Sequence, residues 1–237
     1  MPDMGRRRDG LKPVLLAVML LFGAIQPVLA CRLAVLGDSL TAGYGVAASE
    51  AFPARLATSL AAAGLRCEVL DAGVSGDTTA GGLSRLGWVL ADEPTHLLVE
   101  LGGNDLLRAL PLAQMEANLD AILRGATQAG VSVMLTGMRA PPNLGRAYGD
   151  AVTELFERLA VRHGIPLYPF FLEGVITRPE LMQRDGIHPN ADGVNEIVAR
   201  ILPAVLDWLR GRETSSIEDE SELTLADDPT GWIVRPE

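Results

Sequence analysis

The chain has 237 residues, 48% of them hydrophobic, and carries a formal net charge of −10. Length and apolar content suit one domain with a large core. The acidic balance argues against nonspecific binding to nucleic acid or to anionic membrane surfaces, which need a cationic face.

At the start, Arg6, Arg7, Arg8 and Lys12 precede an apolar run over 14–25 and then Val28-Leu29-Ala30. Residues 1–30 therefore read as a secretory signal peptide with a small-residue cleavage site, implying a periplasmic or secreted protein. The competing reading, a retained membrane anchor, is disfavoured because the segment is short and broken by Gly23, Gln26 and Pro27. Cys31 follows at once and has three possible fates: lipidation, a disulfide with Cys67, or a free thiol. Leu29 is bulky where lipoprotein signals usually carry a small residue, and both cysteines open early strands, the neighbouring ends of which can be close enough for a bridge.

Beyond the leader, apolar runs at 33–36, 67–70, 97–101, 131–135 and 165–168 alternate with helical periodicity, as at 112–126, 150–161 and 194–209. This rhythm predicts an α/β protein, a three-layer α/β/α sandwich around a mostly parallel five-stranded sheet, over residues 31–212. The polar, glycine-rich segments follow the strands: Gly37-Asp38-Ser39, then Gly73 to Thr79, then Gly102-Gly103-Asn104-Asp105. They share the carboxyl edge of the sheet, where ligands of open α/β sheets bind. After residue 212 the chain is acidic, with Glu213, Glu218, Asp219, Glu220, Glu222, Asp227, Asp228 and Glu237 facing only Arg235. Residues 213–237 are expected to form a disordered tail, with Trp232 and Ile233 as the only anchors for a partner.

Of three histidines, His96 sits at a strand entrance and His163 precedes Gly164 at a helix end, where an imidazole favours the negative dipole. His188, in Asp185-Gly186-Ile187-His188-Pro189, is the one placed for chemistry. A serine nucleophile needs a base and the base an orienting carboxylate; Ser39, His188 and Asp185 supply the set. Acyl transfer also needs donors for a developing oxyanion, which the Gly76 and Asn104 loops offer. The chain lacks the phosphate-loop lysine signature, the spaced dinucleotide glycines and the G-x-S-x-G elbow of ordinary α/β-hydrolases. It has no metal-ligand spacing, so no metal and no cofactor is expected.

The ordered set Gly37-Asp38-Ser39-Leu40, Gly73-Val74-Ser75-Gly76-Asp77-Thr78, Gly102-Gly103-Asn104-Asp105 and Asp185-Gly186-Ile187-His188-Pro189 resembles the SGNH, or GDSL, hydrolase superfamily. Within it, the chain is similar to the bacterial acyl-CoA thioesterase, lysophospholipase and arylesterase group over nearly all of 32–209. The resemblance implies a flavodoxin-like fold, Ser39 as nucleophile, His188 as base and Asp185 as its orienter. It also implies an oxyanion hole from the Ser39 and Gly76 amides and the Asn104 side chain. Asp71-Ala72 stands where relatives often have Asn-Ala. Leu106, Leu107, Leu110 and Pro111 are either core packing or, as the resemblance suggests, an apolar lip for an acyl chain. The implied partner is a small acyl ester or thioester, and the expected state is a monomer. Two alternatives stay open: a carbohydrate acetyl esterase using the same residues, and a noncatalytic flavodoxin-like protein holding an anion in the same loops.

Overall fold

The structure, a computed structural model, describes residues 31–211. The leader over 1–30 and the acidic tail beyond 212 lie outside the described residues. Strand β1 (Cys31–Gly37) is buried from Leu33 onward. It is flanked by β2 (Cys67–Gly73) and β3 (His96–Glu100), followed by β4 (Ser132–Thr136) and the short β5 (Leu167–Tyr168). All pairings are parallel, in the order β2-β1-β3-β4-β5. Continuous apolar strands such as Leu33-Ala34-Val35-Leu36 arise because both faces of a parallel sheet are covered.

The covering helices are α1 (Ser39–Ala42), α2 (Phe52–Ala62), α3 (Thr79–Ala91), α4 (Gly103–Leu107), α5 (Leu112–Gln128), α6 (Arg146–His163) and α7 (Ala191–Leu209). Helix α2 packs against α7, whereas α5 packs between α3 and α6. Thr78 and Asn190 cap α3 and α7 with side-chain oxygens that accept the N–H groups of Gly81 and Gly193. Phe52, Leu56, Leu119, Ile122, Phe156, Ile197 and Ile201 seal these helices onto the sheet.

The order reverses at β1: the chain leaves it for β2 on one side and returns to β3 on the other. The carboxyl ends of β1 and β3 therefore fork into a crevice, the switch point at which such sheets bind ligands. At the opposite ends of the strands, Cys31 pairs in register with Cys67, and their sulfurs form a disulfide. Of the three fates open to Cys31, the structure has the bridge. The other two histidines are structural: His96 stacks edge-on against Trp208, and His163 Nε2 lies 2.9 Å from Asp120 on α5.

Candidate active site

Ser39 is the first residue of α1, immediately beyond β1. Asp38 makes the turn, its Oδ1 accepting the Leu40 N–H at 3.0 Å. A first-turn amide such as that of Ser39 has no intrahelical acceptor and points out of the helix end. His188 comes from the loop before α7, 149 residues away, and its Nε2 lies 2.9 Å from Ser39 Oγ. Its Nδ1 lies 2.6 Å from Asp185 Oδ2, and Asp185 Oδ1 accepts the backbone N–H groups of Ile187 and His188 at 2.9 and 3.0 Å. The imidazole contact, then the two amides, lowers the Asp185 pKa from 3.8 to about 2. An ionised carboxylate can only accept, so Nδ1 carries the proton and Nε2 presents a lone pair to the Ser39 hydroxyl.

The serine turn rests on two buried acids. Asp38 Oδ2 accepts a hydrogen from Asn104 Nδ2 at 3.0 Å, leaving the second amide hydrogen of Asn104 for another acceptor. Glu100, the last residue of β3 and opposite Gly37 in register, is wholly buried. Its Oε2 accepts from Thr41 Oγ1 at 2.7 Å and from the Asp38 N–H at 3.3 Å, while Oε1 has no hydrogen-bond partner. Burial raises the pKa of both acids, and for Glu100 burial first and then the Asp38 charge push it well above the ordinary range. Asp38 has two N–H donors on its oxygens and is the better anion, so the proton resides on Glu100.

Gly76 lies in a turn closed by the Asp77 N–H to the Val74 carbonyl, with φ of 86°, a conformation that favours glycine. The Arg85 guanidinium braces this turn, donating to Asp77 Oδ2 at 2.6 Å and to the carbonyls of Ala72 (2.6 Å) and Gly37 (2.8 Å). From the end of α4, Arg108 donates to the Gly76 carbonyl at 2.8 Å. The three strand-end loops thus form one cross-linked unit. Asp71 accepts the Gly73 N–H at 2.9 Å, so the carboxylate in this departure from the usual asparagine serves the strand end locally.

The apolar segment after Asn104 divides. Leu106 is 3% exposed and belongs to the core, which corrects its place in an acyl-chain lip: an α4 residue facing the sheet cannot also face solvent. Leu107, at 54%, is exposed, Pro111 is exposed and Leu110 is half-buried. Tyr44 and Ile187 are also exposed, and the Tyr44 ring lies 4.6 Å from that of His188. Sequence reasoning missed Glu100, Arg85, Tyr44 and Gln183. Glu100 alone left a signal: an acid inside the buried apolar run Leu-Leu-Val-Glu-Leu demands a polar partner.

A hydrogen-bonded Ser-His-Asp chain at the switch point of a parallel α/β/α sheet is the arrangement of a serine hydrolase. The chain belongs to the GDSL-like lipase/acylhydrolase family, whose model matches residues 35–195. It is 40% identical over 198 residues to thioesterase 1/protease 1/lysophospholipase L1 of Escherichia coli, covering 83% of this chain and 88% of the relative. It is 39% identical over 181 residues to esterase TesA of Pseudomonas aeruginosa, covering 76% and 90%. Among solved structures, the SGNH-hydrolase family esterase AlinE4 shares 44% identity with a TM-score of 0.64, covering 76% of this chain and 97% of that one.

Proposed function

We propose that the protein hydrolyses carboxylic esters and thioesters of fatty acids, including lysophospholipids and aryl esters, through an acyl-enzyme. The observation that carries this reading is the continuous contact from Ser39 Oγ through His188 to Asp185. His188 Nε2 removes the hydroxyl proton as Ser39 Oγ attacks the acyl carbonyl, and Asp185 holds the resulting imidazolium. The tetrahedral oxyanion is received by the Ser39 and Gly76 amides and by the amide hydrogen that Asn104 does not spend on Asp38. His188 then protonates the departing alcohol or thiol, and water repeats the sequence to release the acid.

Exposed Leu107, Tyr44 and Ile187 offer apolar surface for the acyl chain. The names of the relatives, thioesterase, lysophospholipase and arylesterase, set the substrate range proposed. The leader pattern and the Cys31–Cys67 bridge support an oxidising compartment such as the periplasm.

The test is a screen over acyl p-nitrophenyl esters, acyl-CoA and lysophospholipid, paired with labelling by a serine-directed phosphonate. Hydrolysis of acyl esters by wild type, its loss in Ser39→Ala, and phosphonate at Ser39 are expected. A folded Ser39→Ala protein with normal turnover refutes the reading.

A further inference from the structure

Ser39 and His188 belong to segments that meet at the end of a long chain path, and their catalytic contact is a single hydrogen bond. The loop bearing the base is largely a surface feature: Asp185 and Gly186 are exposed, and the Ile187 side chain faces solvent. Something must register that loop on the serine turn to a fraction of an ångström, because general-base transfer depends steeply on geometry.

We infer that Gln183 and Tyr44 form a clasp that aligns the base with the nucleophile, and that Gln183 is a positioning residue for the hydrolysis. The inference rests on the reading that Ser39 and His188 are nucleophile and base. Gln183 Nε2 donates to the Tyr44 carbonyl at 2.6 Å and to the Pro189 carbonyl at 2.9 Å, so both amide hydrogens are used, one on each side of the crevice. The Gln183 backbone closes the base loop on itself: its N–H donates to the His188 carbonyl at 2.8 Å and its carbonyl accepts the Gly186 N–H at 3.0 Å. On the other side, the Tyr44 N–H donates to the Ser39 carbonyl at 3.1 Å. The Tyr44 ring then leans on His188 with 4.6 Å between centroids and 38° between planes. One short path therefore runs from the Ser39 backbone through Tyr44 and Gln183 to the His188 backbone, with the ring contact in parallel.

Gly45, at φ of 77°, is part of the device, because a Cβ there would overlap the Gln183 side-chain amide. An amide suits the task better than any other side chain of its size: two carbonyls call for two donors on one atom, which a carboxylate or thioether lacks.

The experiment compares wild type, Gln183→Met and Gln183→Glu, with Ser39→Ala as the control for the underlying reading. Gln183→Met keeps volume and removes both donors. It is expected to lower kcat on a p-nitrophenyl acyl ester by roughly tenfold to a hundredfold with KM within about twofold, and to slow phosphonate labelling of Ser39 in parallel. Gln183→Glu is isosteric and, when protonated, regains one donor. Its kcat relative to wild type is expected to rise as pH falls from 8 to 5, toward the ordinary glutamate value of about 4.3. Folding is checked by near-ultraviolet circular dichroism, and Gln183→Glu carries the test if Gln183→Met does not fold. A folded Gln183→Met with wild-type kcat and labelling rate, or a Gln183→Glu ratio that does not change with pH, overturns the clasp while leaving the catalytic reading intact. Failure of wild type to label at Ser39, or activity in Ser39→Ala, overturns the catalytic reading itself.

Discussion

Replacing Glu100 with glutamine tests whether a neutral acid lies beneath the serine turn. The side chain is wholly buried, with Asp38 as its acidic neighbour, and Asp38 in turn feels His188 and Asp77. A folded-state pKa raised above the ordinary 4.5 means that the native protein holds a proton the unfolded chain releases. Stability from this group is full below the unfolded value and falls as pH rises toward the folded one, by up to about 1.4 kcal/mol per pH unit. Gln183 and the rest of the base loop are untouched by the change. The amide in Glu100→Gln cannot ionise, so the difference in melting temperature, variant minus wild type, is expected to increase by roughly 3 to 5 °C per pH unit across that window. At pH 4.5 the variant melts lower, because its amide sets two unmatched N–H donors where the protonated carboxyl sets a single O–H at Oε1, and each unmatched buried donor costs about 1 to 3 kcal/mol. Thermal melts of both proteins from pH 4 to 9 give the answer. A melting difference that is flat with pH refutes a protonated Glu100. Turnover at pH 7 is expected to stay within roughly threefold, since no reaction charge develops on this side chain.

Asn104→Ala is expected to lower kcat by about a hundredfold to a thousandfold with a smaller effect on KM, as for an oxyanion donor; a raised KM at unchanged kcat makes Asn104 a ground-state contact instead. The Asp185 carboxyl, followed by carbon NMR, is expected to titrate at about 2 and to move up toward 3.8 in His188→Ala. Its depressed pKa adds stability above pH 3.8 that is lost as pH falls toward 2, discounted because the carboxylate is partly exposed. A wild-type midpoint near 3.8 contradicts the hydrogen-bonded carboxylate. Reducing the Cys31–Cys67 bridge, which spans a sequence separation of 36, is expected to cost about 3 to 4 kcal/mol and to lower the melting temperature by roughly 6 to 16 °C. Calorimetry with and without reductant checks it.

The strands were legible because burial on both faces demands uninterrupted apolar runs: those at 33–36, 67–70, 97–101 and 131–135 fall on β1 to β4 within a few residues. The run at 165–168 overshoots, since only Leu167 and Tyr168 pair with β4. Helices α5, α6 and α7 show clear periodicity. Helix α3 is harder to read, with Gly81, Gly82 and Gly87 in its body, residues that favour coil; Gly82 is there because a Cβ would strike Leu101. At the site, Ser39, Asp185 and His188 stand out by motif, and the structure brings them into hydrogen-bond contact. Leu106 and Leu107 look alike in sequence, but α4 turns one to the core and the other to solvent. Arg85 and Gln183 left no trace because their role is to bind main-chain carbonyls, which any sequence possesses and only tertiary proximity selects.

Strand β1 carries the disulfide at its amino end and leads into Ser39 at its carboxyl end, about 20 Å apart at ~3.3 Å per residue. The two ends answer to different surroundings. Reduction would leave the Ser39, His188 and Asp185 contacts in place on a less stable scaffold, whereas oxidation adds stability far from those contacts. The redox state of the surroundings then acts on the endurance of the scaffold rather than on the geometry of the site.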